Sequence, residues 1–72
     1  MKEKAWVWFK GGLNGGSWVA DFVASEEQEG VFTIERPDYK TCKVPSWRIS
    51  FEEPKNLKEG PTIPNNAKWK YI

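Results

Sequence analysis

The stretch that decides the fold comprises residues 30–49, which read GVFTIERPDYKTCKVPSWRI. Its first part alternates apolar and polar side chains, a pattern typical of a strand with one buried face. Pro37 and Asp38 then predict a type I turn, because proline presets the backbone of the second turn position. Residues 41–44 alternate again, and residues 45–48 (PSWR) predict a single 3₁₀ turn before a strand that starts at Ile49. The stretch therefore predicts three short strands in succession.

Two further strands are predicted before this stretch. Residues 4–9 (KAWVWF) are apolar on both faces, and residues 17–25 (SWVADFVAS) alternate. The glycine-rich residues 10–16 predict a loop, and the acidic residues 26–30 predict a hairpin tip. Strict alternation in the second strand places its side chains in two sets, with Trp18, Ala20, Phe22 and Ala24 on one face and Val19, Asp21 and Val23 on the other.

The C-terminal part of the chain changes in character. Residues 53–66 contain three prolines and few apolar side chains, so we expect an irregular segment that wraps around or tethers the strands. Residues 67–72 alternate again, with Trp69 and Tyr71 opposite two lysines, which predicts a terminal strand docked on the domain. The chain is thus interpreted as one domain in which residues 1–52 form the main body.

The size of the chain limits what can form its core. Of 72 residues 11 are aromatic, so a small core has to be built largely from rings. Short strands separated by glycine and proline turns predict an all-β domain, and an open sheet would expose its apolar faces and edges. A small barrel of about five strands is therefore predicted. Its expected core consists of Val7, Phe9, Ala20, Phe22, Phe32, Ile34, Val44 and Ile49.

Three runs of sequence resemble one family of small barrels. Residues 16–21 (GSWVAD) are similar to the entry into a central strand, and residues 30–34 (GVFTI) to the strand that returns from it. Residues 43–49 (KVPSWRI) resemble the strand, 3₁₀ turn and closing strand of the SH3-like barrels, which include Src-homology-3, Tudor-type and integrase C-terminal domains. The resemblance covers residues 5–52 and implies an SH3-like barrel of five strands, to which the C-terminal strand is added.

Composition excludes several kinds of chemistry. The chain has no His and one Cys, so it cannot form a Ser-His-Asp triad, a Cys-His pair, an internal disulfide or a Cys-rich zinc site. We expect no catalytic residue, no cofactor and no metal. No apolar run reaches the length of a signal peptide or a membrane span, and the single thiol of Cys42 fits a reducing compartment, so a cytoplasmic location is predicted.

The expected function is non-catalytic binding through an aromatic groove. The resemblance implies that Trp18, Pro45 and Trp47 line such a groove, which binds a peptide, a methylated side chain or a base in these barrels. One further aromatic and two basic side chains complete its predicted lining, and the full set is Trp18, Tyr39, Lys43, Pro45, Trp47 and Arg48. Whether the C-terminal strand, with Trp69 and Tyr71, covers this groove is left open by the sequence.

The sequence also leaves the class of partner open. A net charge of +1 gives little drive for binding a phosphate backbone, so a protein or peptide partner is favoured over nucleic acid. The charge is unevenly distributed, because residues 21–35 hold five carboxylates and no basic side chain, while residues 36–48 are basic.

A third alternative is a small oligomeric enzyme similar to the plasmid-type dihydrofolate reductases, with a site shared between copies. The oligomeric state is not predicted.

Overall fold

A computed structural model describes residues 2–11 and 15–71. The centre of the predicted glycine loop (residues 12–14) and Ile72 lie outside the described residues. The sequence correctly predicted the all-β class, the five strands and the 3₁₀ turn. No helix in the described part of the chain is long and apolar enough to cross a membrane. The elements are β1 (Lys2–Lys10), β2 (Gly16–Gln28), β3 (Val31–Arg36), β4 (Tyr39–Pro45), a 3₁₀ turn (Ser46–Arg48) and β5 (Ile49–Ser50).

The strands form one antiparallel sheet in the order β4-β3-β2-β1-β5. The long strand β2 pairs with β1 through its first part and with β3 through its second. Within residues 2–11 and 15–71 no pairing joins β4 to β5, so the predicted closed barrel is not formed and the sheet is open. Two features explain the opening. Pro45 ends β4 without an N–H to donate, and β5 has only two residues before the chain leaves the sheet.

A β-bulge in β2 changes the faces predicted for this strand. Ala5 lies opposite Phe22 and Val7 opposite Val19, so β2 carries one more residue than β1 between these pairs. Asp21 takes up the extra residue in the left-handed region, at φ 70°, which Asp tolerates better than most side chains. The alternation therefore reverses at Asp21. Val19 and Phe22 both belong to the core side, contrary to the strict alternation predicted from the sequence.

The core lies on the inner face of this sheet. Four of the eight predicted core residues are almost completely buried there: Val7, Phe22, Ile34 and Val44. Three more pack against this cluster while partly buried: Phe9, Phe32 and Ile49. Ala20 is outside the cluster, because the bulge reverses the alternation next to it. The cluster also contains the small side chains of Ala5 and Ala24, which were not predicted to belong to the core.

The C-terminal segment crosses the molecule without forming the predicted strand. Within residues 67–71 the only sheet contact is a single bridge, in which the Tyr71 N–H donates to the Lys43 carbonyl at 2.7 Å. The carbonyl of Trp69 instead accepts a hydrogen bond from the Arg48 guanidinium. Because this carbonyl is used by a side chain, the segment does not continue as a regular ladder along β4.

Candidate functional site

The six residues of the predicted groove do not share one accessible surface. Pro45 and Arg48 are buried, and Trp18 and Trp47 are partly buried. Only two of the six are exposed, Tyr39 and Lys43. The structure therefore separates the predicted groove into a part covered by the chain itself and a part open to solvent.

Trp18 is covered by the proline-containing segment. Its backbone N–H donates to the Leu57 carbonyl and its indole N–H to the Glu59 carbonyl, each at 2.9 Å. The ring packs against Trp8, with centroids 5.6 Å apart, and Trp8 is only 7% exposed. Because the indole N–H already has a partner, Trp18 offers a ligand no free donor until this segment moves.

Trp47 and Arg48 are engaged by the end of the chain. The Trp47 and Trp69 rings meet edge to face, with centroids 4.8 Å apart. Arg48 donates from Nε to the Trp8 carbonyl at 2.9 Å and from Nη1 to the Trp69 carbonyl. Burial lowers the pKa of the Arg48 guanidinium from its ordinary value. The nearby Cys42 and Tyr39 raise this pKa, but by less than burial lowers it. An arginine nevertheless stays charged at neutral pH, and the two hydrogen bonds of Arg48 join the 3₁₀ turn to Trp8 and Trp69.

The open part of the site is a groove beside Tyr39. Tyr39 is 45% exposed, and its ring contacts those of Phe9 and Phe22 edge to face, both at 5.5 Å between centroids. An ion pair joins Arg36 Nε to Asp38 Oδ1 at 2.9 Å beside it. We call this space, of about 230 Å³, the Tyr39 groove; it is lined by Phe9, Val19, Phe22, Arg36, Asp38 and Tyr39.

Local sequence explains how these side chains meet. The Pro37-Asp38 turn reverses the chain, so that Arg36 and Tyr39 lie opposite each other at the ends of β3 and β4. The bulge at Asp21 then brings Val19 and Phe22 to one face. Sequence reasoning predicted Tyr39 but not the other lining residues. An Asp within a largely apolar strand was the available signal, since Asp is among the residues that occupy left-handed bulge positions.

Comparisons with known protein families, curated proteins and solved structures found no match to this chain. The part of the chain that the structure describes contains no group of three or more His, Cys, Asp or Glu side chains that could hold a metal ion. Function is therefore inferred from the residues themselves and from their arrangement.

Proposed function

We propose that this chain is a non-catalytic module that binds a protein or peptide in the Tyr39 groove, on an SH3-like barrel that is left partly open. Two features support the fold proposal: β5 pairs with β1 at the end of the sheet, and a 3₁₀ turn separates β4 from β5. The 3₁₀ turn between two strands is what the resemblance to this family implies. The free thiol of Cys42 supports a reducing, cytoplasmic location.

The observation that carries the proposal is the exposed ring of Tyr39, which packs edge to face on two inner rings. An aromatic side chain usually loses rotamer freedom when it binds, and this loss opposes association. Tyr39 has already lost part of that freedom, because Phe9 and Phe22 support its ring on the inside. Exposed tyrosines with an apolar support are frequent among the side chains that dominate interface energies.

The groove is suited to an apolar side chain of a partner. Its floor consists of Phe9, Val19 and Phe22, while the charges at its rim neutralise each other in the Arg36–Asp38 pair. A groove without surplus positive charge gives little attraction to phosphate. Its volume of about 230 Å³ also lies below the range usual for cofactors and drug-sized ligands, about 300–1,000 Å³. A peptide that inserts one apolar side chain needs neither surplus positive charge nor a larger space.

Selection from a displayed library of random peptides tests the proposal. The affinities of enriched peptides are measured by fluorescence anisotropy on the wild type and on two variants, Tyr39→Ala and Phe51→Ala. Phe51 is a matched control, because it is 48% exposed and also packs against one core ring, that of Phe32. We expect Tyr39→Ala to weaken binding at least about tenfold, or ~1.4 kcal/mol. Phe51→Ala should stay within about twofold.

The proposal fails if the enriched peptides bind Tyr39→Ala as tightly as the wild type, or lose equal affinity on Phe51→Ala. Thermal unfolding of both variants is measured first, so that a loss of folding is not mistaken for a loss of binding. If Tyr39→Ala unfolds, Asp38→Lys replaces it, because Asp38 has a side chain that is 72% exposed and lies at the rim of the groove. A lysine there should repel Arg36 and weaken peptide binding.

A further inference from the structure

A second groove lies beside β4, where the end of the chain reaches it. The bridge between Tyr71 and Lys43 holds residues 70 and 71 next to this strand. We call the space between them, of about 440 Å³, the lysine groove; its walls include Thr33, Lys40, Thr41, Lys43, Lys70 and Tyr71. The groove thus combines three cations from two separate parts of the chain with one aromatic ring.

The lysine groove has an unbalanced positive charge. Among the described residues no carboxylate lines it, and none of them forms an ion pair with Lys40, Lys43 or Lys70. Glu27 borders the groove, because its carboxylate accepts a hydrogen bond from the hydroxyl of the wall residue Thr33 at 2.7 Å. Glu35 lines a neighbouring space that shares Thr41 with the groove. Like charges held close together repel, and an anion bound between them would remove this repulsion.

The aromatic wall indicates which kind of anion fits. Tyr71 is partly buried, and the Lys68 ammonium lies 5.6 Å from its ring centroid. Tyrosine next to several lysines is the combination by which proteins bind single-stranded nucleic acid, because the ring stacks on a base while the cations follow the phosphates. An acidic peptide would use the lysines, but it offers no planar ring to the tyrosine.

We propose that the lysine groove binds single-stranded nucleic acid, with phosphates contacted by Lys40, Lys43 and Lys70 and a base stacked on Tyr71. This site is distinct from the Tyr39 groove and does not depend on peptide binding there. The small net charge of the chain does not oppose the proposal, because five of the ten acidic side chains lie in residues 21–35 and the described lining of the groove contains none. Local rather than net charge sets the contacts with phosphate.

Fluorescence anisotropy with a labelled oligothymidylate of about 12 nucleotides tests this site at about 50 mM salt and above. Three phosphate contacts on a single strand predict that the logarithm of the association constant falls with the logarithm of salt concentration with a slope of about −2. The triple variant Lys40→Gln, Lys43→Gln, Lys70→Gln should lose at least about tenfold in affinity and most of this slope. Its control carries Lys4→Gln, Lys55→Gln and Lys58→Gln, which change the net charge equally at other exposed positions.

Two single variants distinguish base stacking and local charge from the general attraction between lysines and phosphates. Tyr71→Leu keeps the backbone bridge to Lys43 but removes the ring, so affinity should fall by about fivefold or more while the salt slope is kept. Glu27→Gln keeps a hydrogen-bond acceptor for Thr33 and removes a repelling charge, so affinity should rise. Thermal unfolding is measured for each variant. If the triple variant unfolds, Lys40→Gln and Lys70→Gln are tested singly, and each should reduce the slope by about 0.7.

Three results would overturn the proposal. The first is no binding of the oligonucleotide to the wild type at about 50 mM salt. The second is equal loss of affinity in the groove variant and its control, which would mean that any surface lysine serves. The third is tighter binding of a poly-glutamate peptide than of the oligonucleotide, which would assign the groove to an acidic protein.

Discussion

Arg48 connects three parts of the chain that are distant in sequence. It lies in the 3₁₀ turn, donates to the carbonyls of Trp8 and Trp69, and places its guanidinium 5.1 Å from the Phe9 ring centroid and 5.6 Å from that of Trp69. The planar guanidinium is suited to such a position, since it presents several donors in fixed directions and packs on rings. The sequence predicted a ligand contact for the same residue, which is 7% exposed and makes these contacts within the chain.

Replacing this side chain should destabilise the protein strongly. Arg48→Met leaves the carbonyls of Trp8 and Trp69 without their donors, and we expect the free energy of unfolding to fall by about 2–4 kcal/mol. Arg36→Met is the control, because its ion-pair partner Asp38 has a side chain that is 72% exposed, and loss of this pair should cost less than about 1 kcal/mol. Urea unfolding followed by tryptophan fluorescence measures both. Equal losses of unfolding free energy in the two variants would show that Arg48 contributes no more to stability than a surface cation does.

At the scale of elements, the sequence predicted what depends on local signals. Alternation and the Gly and Pro turns placed all five strands, and the Pro-Ser pair placed the 3₁₀ turn, because each pattern is read over a few residues. The bulge at Asp21 was missed, since alternation alone does not show where a strand gains a residue relative to its neighbour. Phe22 was correctly predicted in the core, but Val19 was placed on the opposite face, and most of the Tyr39 groove was missed with it.

The course of the C-terminal segment depends on contacts that no local pattern reveals. It is fixed by hydrogen bonds from Trp18 to the carbonyls of Leu57 and Glu59, and by the contacts of Trp69 with Trp47 and Arg48. The sequence identified the tryptophans as surplus to a small core, but it did not show that they would bind the chain's own end. This is why Trp18 and Trp47 were expected to bind a ligand.

Gly60 lies at a close contact between this segment and the sheet. A Cβ atom at this position would lie 2.6 Å from Cζ2 of Trp8, whose ring is buried against Trp18. Because this ring has no space to move into, Gly60→Ala should destabilise the protein by about 1–3 kcal/mol and increase cleavage of the segment by proteases. Lys58→Ala, at an exposed position of the same segment, should change neither. Wild-type stability and protease resistance of Gly60→Ala would contradict the close contact.

The strands of the molecule form one sheet. Its inner face is covered by the core, and the C-terminal segment covers part of the rest, including Trp8 and Trp18. This arrangement closes the surface that a family resemblance would favour for binding. The Tyr39 groove and the lysine groove stay open. Positive and negative charges balance in the Tyr39 groove, whereas positive charge is in excess in the lysine groove. We infer that the two grooves suit different partners because their charge differs.

The central claim is that ligands enter the Tyr39 groove while the surface around Trp18 and Trp47 stays covered. An NMR titration of isotope-labelled wild-type protein with a selected peptide tests this claim most directly, because each indole and backbone N–H reports separately. We expect the amides of Val19, Arg36 and Tyr39 to shift on binding, and the indole signals of Trp18 and Trp47 to stay unchanged. Shifts of these two indoles, with the amides around Tyr39 unaffected, would contradict the account.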